Sequence, residues 1–245
     1  MAPDWVAARP IAHRGLHGGE VLENTIAAAE AAASAGYGIE ADLQLTADEE
    51  VVVFHDDTLN RLTRASGPLS ARKATDLRKV PFRAGAGHIP NLREFLATVR
   101  GRVPLYLELK SAWDGDTRLV ERAAAVLASY SGPAALMSFD PDLVKAVGEV
   151  APTIPRGIVA ESAQFRGDWK RMRWPQRFAL GNLLHLSRTK PDFVAYGIRD
   201  LPALAPLIAR RFLGLPLLTW TVRTPADQAR ARRWADQMIF EGFRP

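Results

Sequence analysis

Short apolar or β-branched runs alternate with longer stretches of helical spacing along most of this chain. Residues 9–13 read as a first strand that ends at a turn rich in glycine (Gly15, Gly18, Gly19). An alanine-rich stretch, 25–35, has high helix propensity and stops at Gly36. Residues 37–43 and 50–54 read as strands. Residues 103–109 form a clear strand, before a helix over about 117–130. The alternation continues with strand 134–138 and a helix opened by Asp140-Pro141, where Asp is an N-cap and Pro suits the first helical position. Strand 156–160 leads into 169–186, a helical stretch interrupted at Pro175. Strand 193–196 precedes helix 202–212, strand 217–222 leads to a Thr224-Pro225 helix start, and 237–240 closes the set.

About eight strands, most followed by a helix, imply parallel pairing through crossover helices. At 245 residues a (β/α)8 TIM barrel is favoured over an open doubly wound sheet, and no glycine-rich dinucleotide fingerprint argues for the latter. We expect a single domain over 1–245. Its one irregular stretch, 57–89, is rich in Arg, Lys, Ser and Gly and reads as a short insertion at the catalytic face.

Polar residues then fall where a barrel strand should still be apolar. His13-Arg14, Glu40 with Asp42, His55-Asp56 and Glu108 with Lys110 stand at the ends of apolar runs. Active sites of such barrels gather where several strands end, so these four segments are expected to converge. Glu40 and Asp42, one residue apart, point to the same face of an extended chain. With Glu108 they would place three mutually repelling carboxylates in one mouth, a cost that a hard divalent cation such as Mg2+ or Ca2+ removes. His13 and His55 can divide general acid and general base work between them. Arg14 and Lys110 offer fixed positive charge to phosphate oxygens. His17, His88 and His185 do not end strands and receive no catalytic assignment.

Composition narrows the classes further. The absence of cysteine excludes disulfides, thiolate metal sites and a cysteine nucleophile. Hydrophobic residues make up 47% and charged residues 24%, an ordinary soluble balance. The N-terminus lacks a basic, apolar leader, and no run is long enough to span a bilayer, so a cytoplasmic protein is expected. The net charge of +5 rests largely on arginines scattered along helices, such as Arg230, Arg232 and Arg233, and reads as a solvated surface without a nucleic-acid partner. The basic-aromatic run 169–174 is the one candidate for transient membrane contact.

Taken in order, His13-Arg14-Gly15, Glu23-Asn24-Thr25, Glu40-Ala41-Asp42, His55-Asp56, Leu59-Asn60-Arg61-Leu62-Thr63, Ile89-Pro90-Asn91-Leu92 with Glu94, and Glu108-Leu109-Lys110 resemble the glycerophosphodiester phosphodiesterase family. The resemblance spans nearly the whole chain and is densest over 11–110. It implies a (β/α)8 barrel that cleaves small phosphodiesters with a divalent cation. By that resemblance Glu40, Asp42 and Glu108 are metal ligands, His13 and His55 the acid/base pair, and Arg14 and Lys110 phosphate contacts. Glu23 and Asn24 match an acid-amide pair close to the site. Trp220 matches a pocket-lining aromatic, or else is a core residue at the barrel mouth. Residues 239–245 depart from the family's usual ending, which bears on substrate preference. The implied substrates are glycerophosphodiesters such as glycerophosphocholine or glycerophosphoethanolamine, cleaved directly or through a cyclic phosphate. A lysophospholipase D is the alternative within the fold. A non-catalytic phosphate or nucleic-acid binder is the alternative outside it, and it would not need a matched acid and base.

Overall fold

A computed structural model describes residues 2–162 and 172–245. Among the described residues nine strands occur, most of them separated by helices. They are β1 (Ile11–Ala12), β2 (Gly38–Leu45), β3 (Val51–Val53), β4 (Leu105–Leu109), β5 (Ala134–Ser138), β6 (Arg156–Ala160), β7 (Phe193–Gly197), β8 (Leu217–Val222) and β9 (Gln237–Phe240). Eight of them pair in parallel around a closed circuit in the order β1-β9-β8-β7-β6-β5-β4-β2, and β1 returns to β2. The fold is a (β/α)8 TIM barrel.

The ninth strand corrects the sequence reading. β3 is not part of the barrel but runs antiparallel to β2, with Leu43 opposite Val53 and Leu45 opposite Val51. The connection 46–50 is far too short for the crossover that a parallel neighbour requires, so the chain can only fold back. His55 therefore reaches the mouth from a descending hairpin arm, not from a barrel strand end.

The barrel strands are buried on both faces, and period-two alternation sorts their side chains. Inward residues Ile11, Tyr106, Ala135, Met137, Val159, Phe193, Ala195, Leu218 and Ile239 pack together inside the barrel. Outward residues such as Ala12, Ile39, Ala41, Leu105 and Leu107 pack against the helices. Gly157 makes the interior possible, because a Cβ there would lie 2.3 Å from the Phe193 ring. A 3-10 turn, Asp4–Ala7, plugs the base, and the Tyr106 hydroxyl donates to the Val6 carbonyl at 2.7 Å.

Side-chain caps at Thr25, Asn91, Asp140 and Thr224 open helices. In α1 (Ile26–Ser34) the Thr25 side chain accepts from the Ala28 amide. After α2 (Ala74–Leu77), a reciprocal Asn91/Glu94 cap opens α3 (Leu92–Val99). Next come α4 (Arg118–Leu127) and α5 (Pro141–Val150), the latter capped by Asp140 with Pro141 in its first turn. Pro175 lies in the first turn of α6 (Trp174–Gly181), where a missing N–H is harmless, so it starts a helix instead of interrupting one. Of the basic-aromatic run, residues 169–171 lie outside the described residues. α7 (Leu186–Thr189), α8 (Leu204–Phe212) and α9 (Pro225–Trp234) complete the set. The inserted stretch has its own small core of Leu59, Leu69, Leu77, Phe82 and Ile89 packed on Val52 and Phe54 of the hairpin. No helix among the described residues is long and apolar enough to cross a membrane.

Candidate active site

The inward register does not stop at the packed layer. Two residues beyond Ile11 comes His13, beyond Tyr106 comes Glu108, beyond Leu218 comes Trp220, and Glu40 and Asp42 share one face of β2. A single cleft of about 1440 Å³ at the strand ends is lined by His13, Arg14, Glu40, Asp42, His55, Glu108, Lys110 and Trp220. The eight residues expected from the sequence to bind metal, bind substrate or transfer protons thus line one cleft.

Glu40, Asp42 and Glu108 each offer an oxygen within 4.8 Å of the others, and all three are buried. Lys110 Nζ stands 3.0 Å from Glu108 and 3.3 Å from Asp42, and Arg14 Nε is 3.4 Å from Asp42. Burial would raise the Asp42 pKa, but Lys110 and then Arg14 outweigh it and hold the group below the usual carboxylate range. Glu40 is driven well above that range by burial and by the charges of Asp42 and Glu108. Its Oε2 accepts the Arg14 amide at 2.8 Å, whereas its buried Oε1 has no partner among the described residues. Three carboxylates face two cations, with one buried oxygen unsatisfied. This donor set fits a hard divalent cation.

The supports are built into tight backbone. Arg14 and Asn24 take left-handed conformations, φ 55° and 57°, uncommon for non-glycine residues. At the next position Gly15, φ 79°, admits no side chain, since a Cβ would lie 2.8 Å from Ala28 of α1. Asn24 Nδ2 donates to Asp42 Oδ2 at 2.8 Å, and its Oδ1 accepts the Asp42 amide at 3.2 Å. Arg14 also donates to Glu23 at 2.7 Å.

Each imidazole is held by a carboxylate on Nδ1. His13 Nδ1 lies 2.7 Å from Glu241 Oε2, and Arg223 donates to the same oxygen at 2.8 Å. Burial lowers the His13 pKa despite that hydrogen bond. Glu241 is held down at about 2, chiefly by the His13 hydrogen bond. His55 Nδ1 lies 2.7 Å from Asp56 Oδ1. Arg61, from the inserted stretch, donates to both Asp56 oxygens at 2.7 and 2.8 Å and to Glu23 at 2.6 and 3.0 Å.

Glu241 was missed because it stands in the divergent ending, yet the period-two rule reaches it: it lies two residues past inward-facing Ile239. Asp56 and Arg61 were visible only as motif members without a role. Trp220 packs edge-on against Phe139, ring centres 5.3 Å apart, and donates from its indole nitrogen to the Ala195 carbonyl. His185 also lines the cleft, and burial followed by Arg188 lowers its pKa to about 4. His88 pairs with Glu94 instead, and neither it nor His17 lines the cleft.

Residues 13–241 match the Glycerophosphoryl diester phosphodiesterase family. The chain belongs to this family. It is similar to the Bacillus subtilis protein YhdW, 32% identical over 229 residues that cover 90% of this chain and 88% of that one. It is also similar to a Bacillus subtilis glycerophosphodiester phosphodiesterase, 25% identical over 99% of this chain and 85% of the relative. Among solved structures, an Oleispira antarctica phosphodiesterase bound to the product sn-glycerol-3-phosphate superposes with a TM-score of 0.78 at 21% identity. That match covers 95% of this chain and 92% of the other, and it supports the fold. The protein is an enzyme that hydrolyses glycerophosphodiesters.

Proposed function

We propose that this enzyme cleaves small glycerophosphodiesters, such as glycerophosphocholine or glycerophosphoethanolamine, to glycerol 3-phosphate and an alcohol. The observation that carries this reading is the meeting of three buried carboxylates with two carboxylate-held imidazoles in one cleft. Glu40, Asp42 and Glu108 would hold a divalent cation, Mg2+ or Ca2+, which supplies Lewis-acid polarisation of a phosphoryl oxygen when bound. Arg14 and Lys110 orient the phosphoryl group and offset charge that develops on it. A carboxylate on Nδ1 keeps the neutral imidazole's proton there and leaves Nε2 free to work. His13 Nε2 lies 3.9 Å from Glu40 and so borders the carboxylate set. One imidazole deprotonates the attacking oxygen and the other protonates the departing alkoxide. The oxygen acceptor set and the matched imidazoles favour this over a nucleic-acid-binding role.

The apolar part of the cleft lining favours one second reading. Leu180 packs with Phe139 and Met172, and Phe139 with Trp220, a surface on which the acyl chain of a lysophospholipid would lie. Assays of glycerophosphodiesters and lysolipids with Mg2+, Ca2+ or EDTA decide between them. We expect cation-dependent release of glycerol 3-phosphate that is lost in His13→Ala. Turnover unaffected by EDTA or by His13→Ala would overturn the proposed roles, and a preference for lysolipids would favour the second reading.

A further inference from the structure

We propose that His13, His17 and Glu241 form a second cation site, selective for zinc-like ions, whose occupation switches the enzyme off. Each of the three offers one ligand atom within 4.8 Å of the other two. His17 reaches this point from the loop after Arg14. Its Nε2 is buried and makes no hydrogen bond among the described residues, an orphan that a ligand would satisfy.

The donor chemistry separates this site from the carboxylate set a few residues away. Two imidazole nitrogens and one carboxylate oxygen suit a borderline-soft ion such as Zn2+. Glu40, Asp42 and Glu108 present oxygens only, which suit Mg2+ or Ca2+. Tetrahedral zinc with Zn–N bonds of ~2.0–2.1 Å sets its ligand atoms roughly 3.3 Å apart. The His13–Glu241 pair, now 2.7 Å apart, would open by only about half an ångström. Arg223, which holds Glu241 and is half-exposed, can swing into solvent to give up its place.

An ion seated between His13 and Glu241 replaces the Nδ1 hydrogen bond. Coordination through Nδ1 leaves the ring proton on Nε2, so the nitrogen that borders the carboxylate set can no longer accept one. The inhibitory consequence rests on the proposed role of His13, whereas the binding does not.

The test uses the full chain at saturating Mg2+. Zn2+ is titrated into wild type and His17→Gln, with glycerophosphocholine turnover and calorimetric Zn2+ binding read in parallel. We expect unchanged basal turnover in His17→Gln, inhibition of wild type that a tenfold rise in Mg2+ does not relieve, and at least about tenfold weaker Zn2+ binding in the variant. His17→Cys, which keeps a zinc ligand, should keep the binding. Inhibition that is equal in His17→Gln, or that Mg2+ relieves, would place Zn2+ in the carboxylate set and overturn the proposal. Binding that depends on His17 in a protein without glycerophosphocholine turnover would keep the site and refute only the proposed function.

Discussion

The two imidazoles are built to one plan from different materials. Each has a carboxylate on Nδ1 at 2.7 Å, and each carboxylate is backed by an arginine: His13 by Glu241 and Arg223, His55 by Asp56 and Arg61. The separations differ, since Asp56 is the neighbour of His55 while Glu241 lies 228 positions from His13. His13 is also the more enclosed, its side chain 12% exposed against 32%. Arg61 continues through Glu23 to Arg14 and Asp42, so the support of His55 is wired into the carboxylate set, whereas that of His13 ends at Arg223. The same electrostatic device can therefore be assembled locally from a dipeptide or remotely by closing a barrel.

Removing either imidazole is the strongest way to test that equivalence. His13→Ala and His55→Ala should each lower kcat by about 10² to 10⁴. Because an acid and a base act as a unit, the double variant should be little worse than either single one. Losses that multiply in the double variant would show two independent contributions.

The carboxylates come next. Glu241→Gln and Asp56→Asn each remove a charged hydrogen bond of about 1.5–3 kcal/mol, so kcat should fall about ten- to a hundredfold with little change in KM. A loss confined to Asp56→Asn would mean that Glu241 only closes the barrel. The arginines should matter least, and unequally. Arg223→Ala breaks one exposed pair and should cost less than about fivefold. Arg61→Ala breaks two bidentate pairs and should cost up to about tenfold. An equal effect in both would sever the proposed link from Arg61 to the carboxylate set.

The same contrast explains what the sequence could show. The strand-helix alternation made the barrel legible, and the acids and histidines that end apolar runs pointed to the cleft in which they meet. β3 was misplaced because a short buried apolar run looks alike in parallel and antiparallel pairing, and only the five-residue connection to β2 distinguishes them. Glu241 was lost for a different reason. Its partner is contributed by the first strand, and contact between β1 and β9 arises only on closure. The inward period running from Ile239 is nonetheless present in the sequence.

Acid should expose the enclosure of His13 most gently, through stability and not rate. Burial lowers the His13 pKa in the folded chain, while the unfolded chain takes up that proton near pH 6.5. The unfolded state therefore binds more protons, and wild type loses stability as pH falls below about 6.5. Glu241 is held at about 2 in the folded protein against about 4.3 unfolded, so its contribution is complete above about pH 4.3 and fades as pH falls toward 2. Both effects have the same sign, and His13→Gln removes the first outright and weakens the second by deleting the leading hydrogen bond to Glu241. The urea midpoint of wild type relative to His13→Gln should therefore decline steadily from pH 7 downward, first below about 6.5 and again below about 4.3. A difference that stays flat or grows in acid would mean that the Glu241 contact, not burial, governs the proton on His13, and the two imidazoles would then be closer in kind than their exposures suggest.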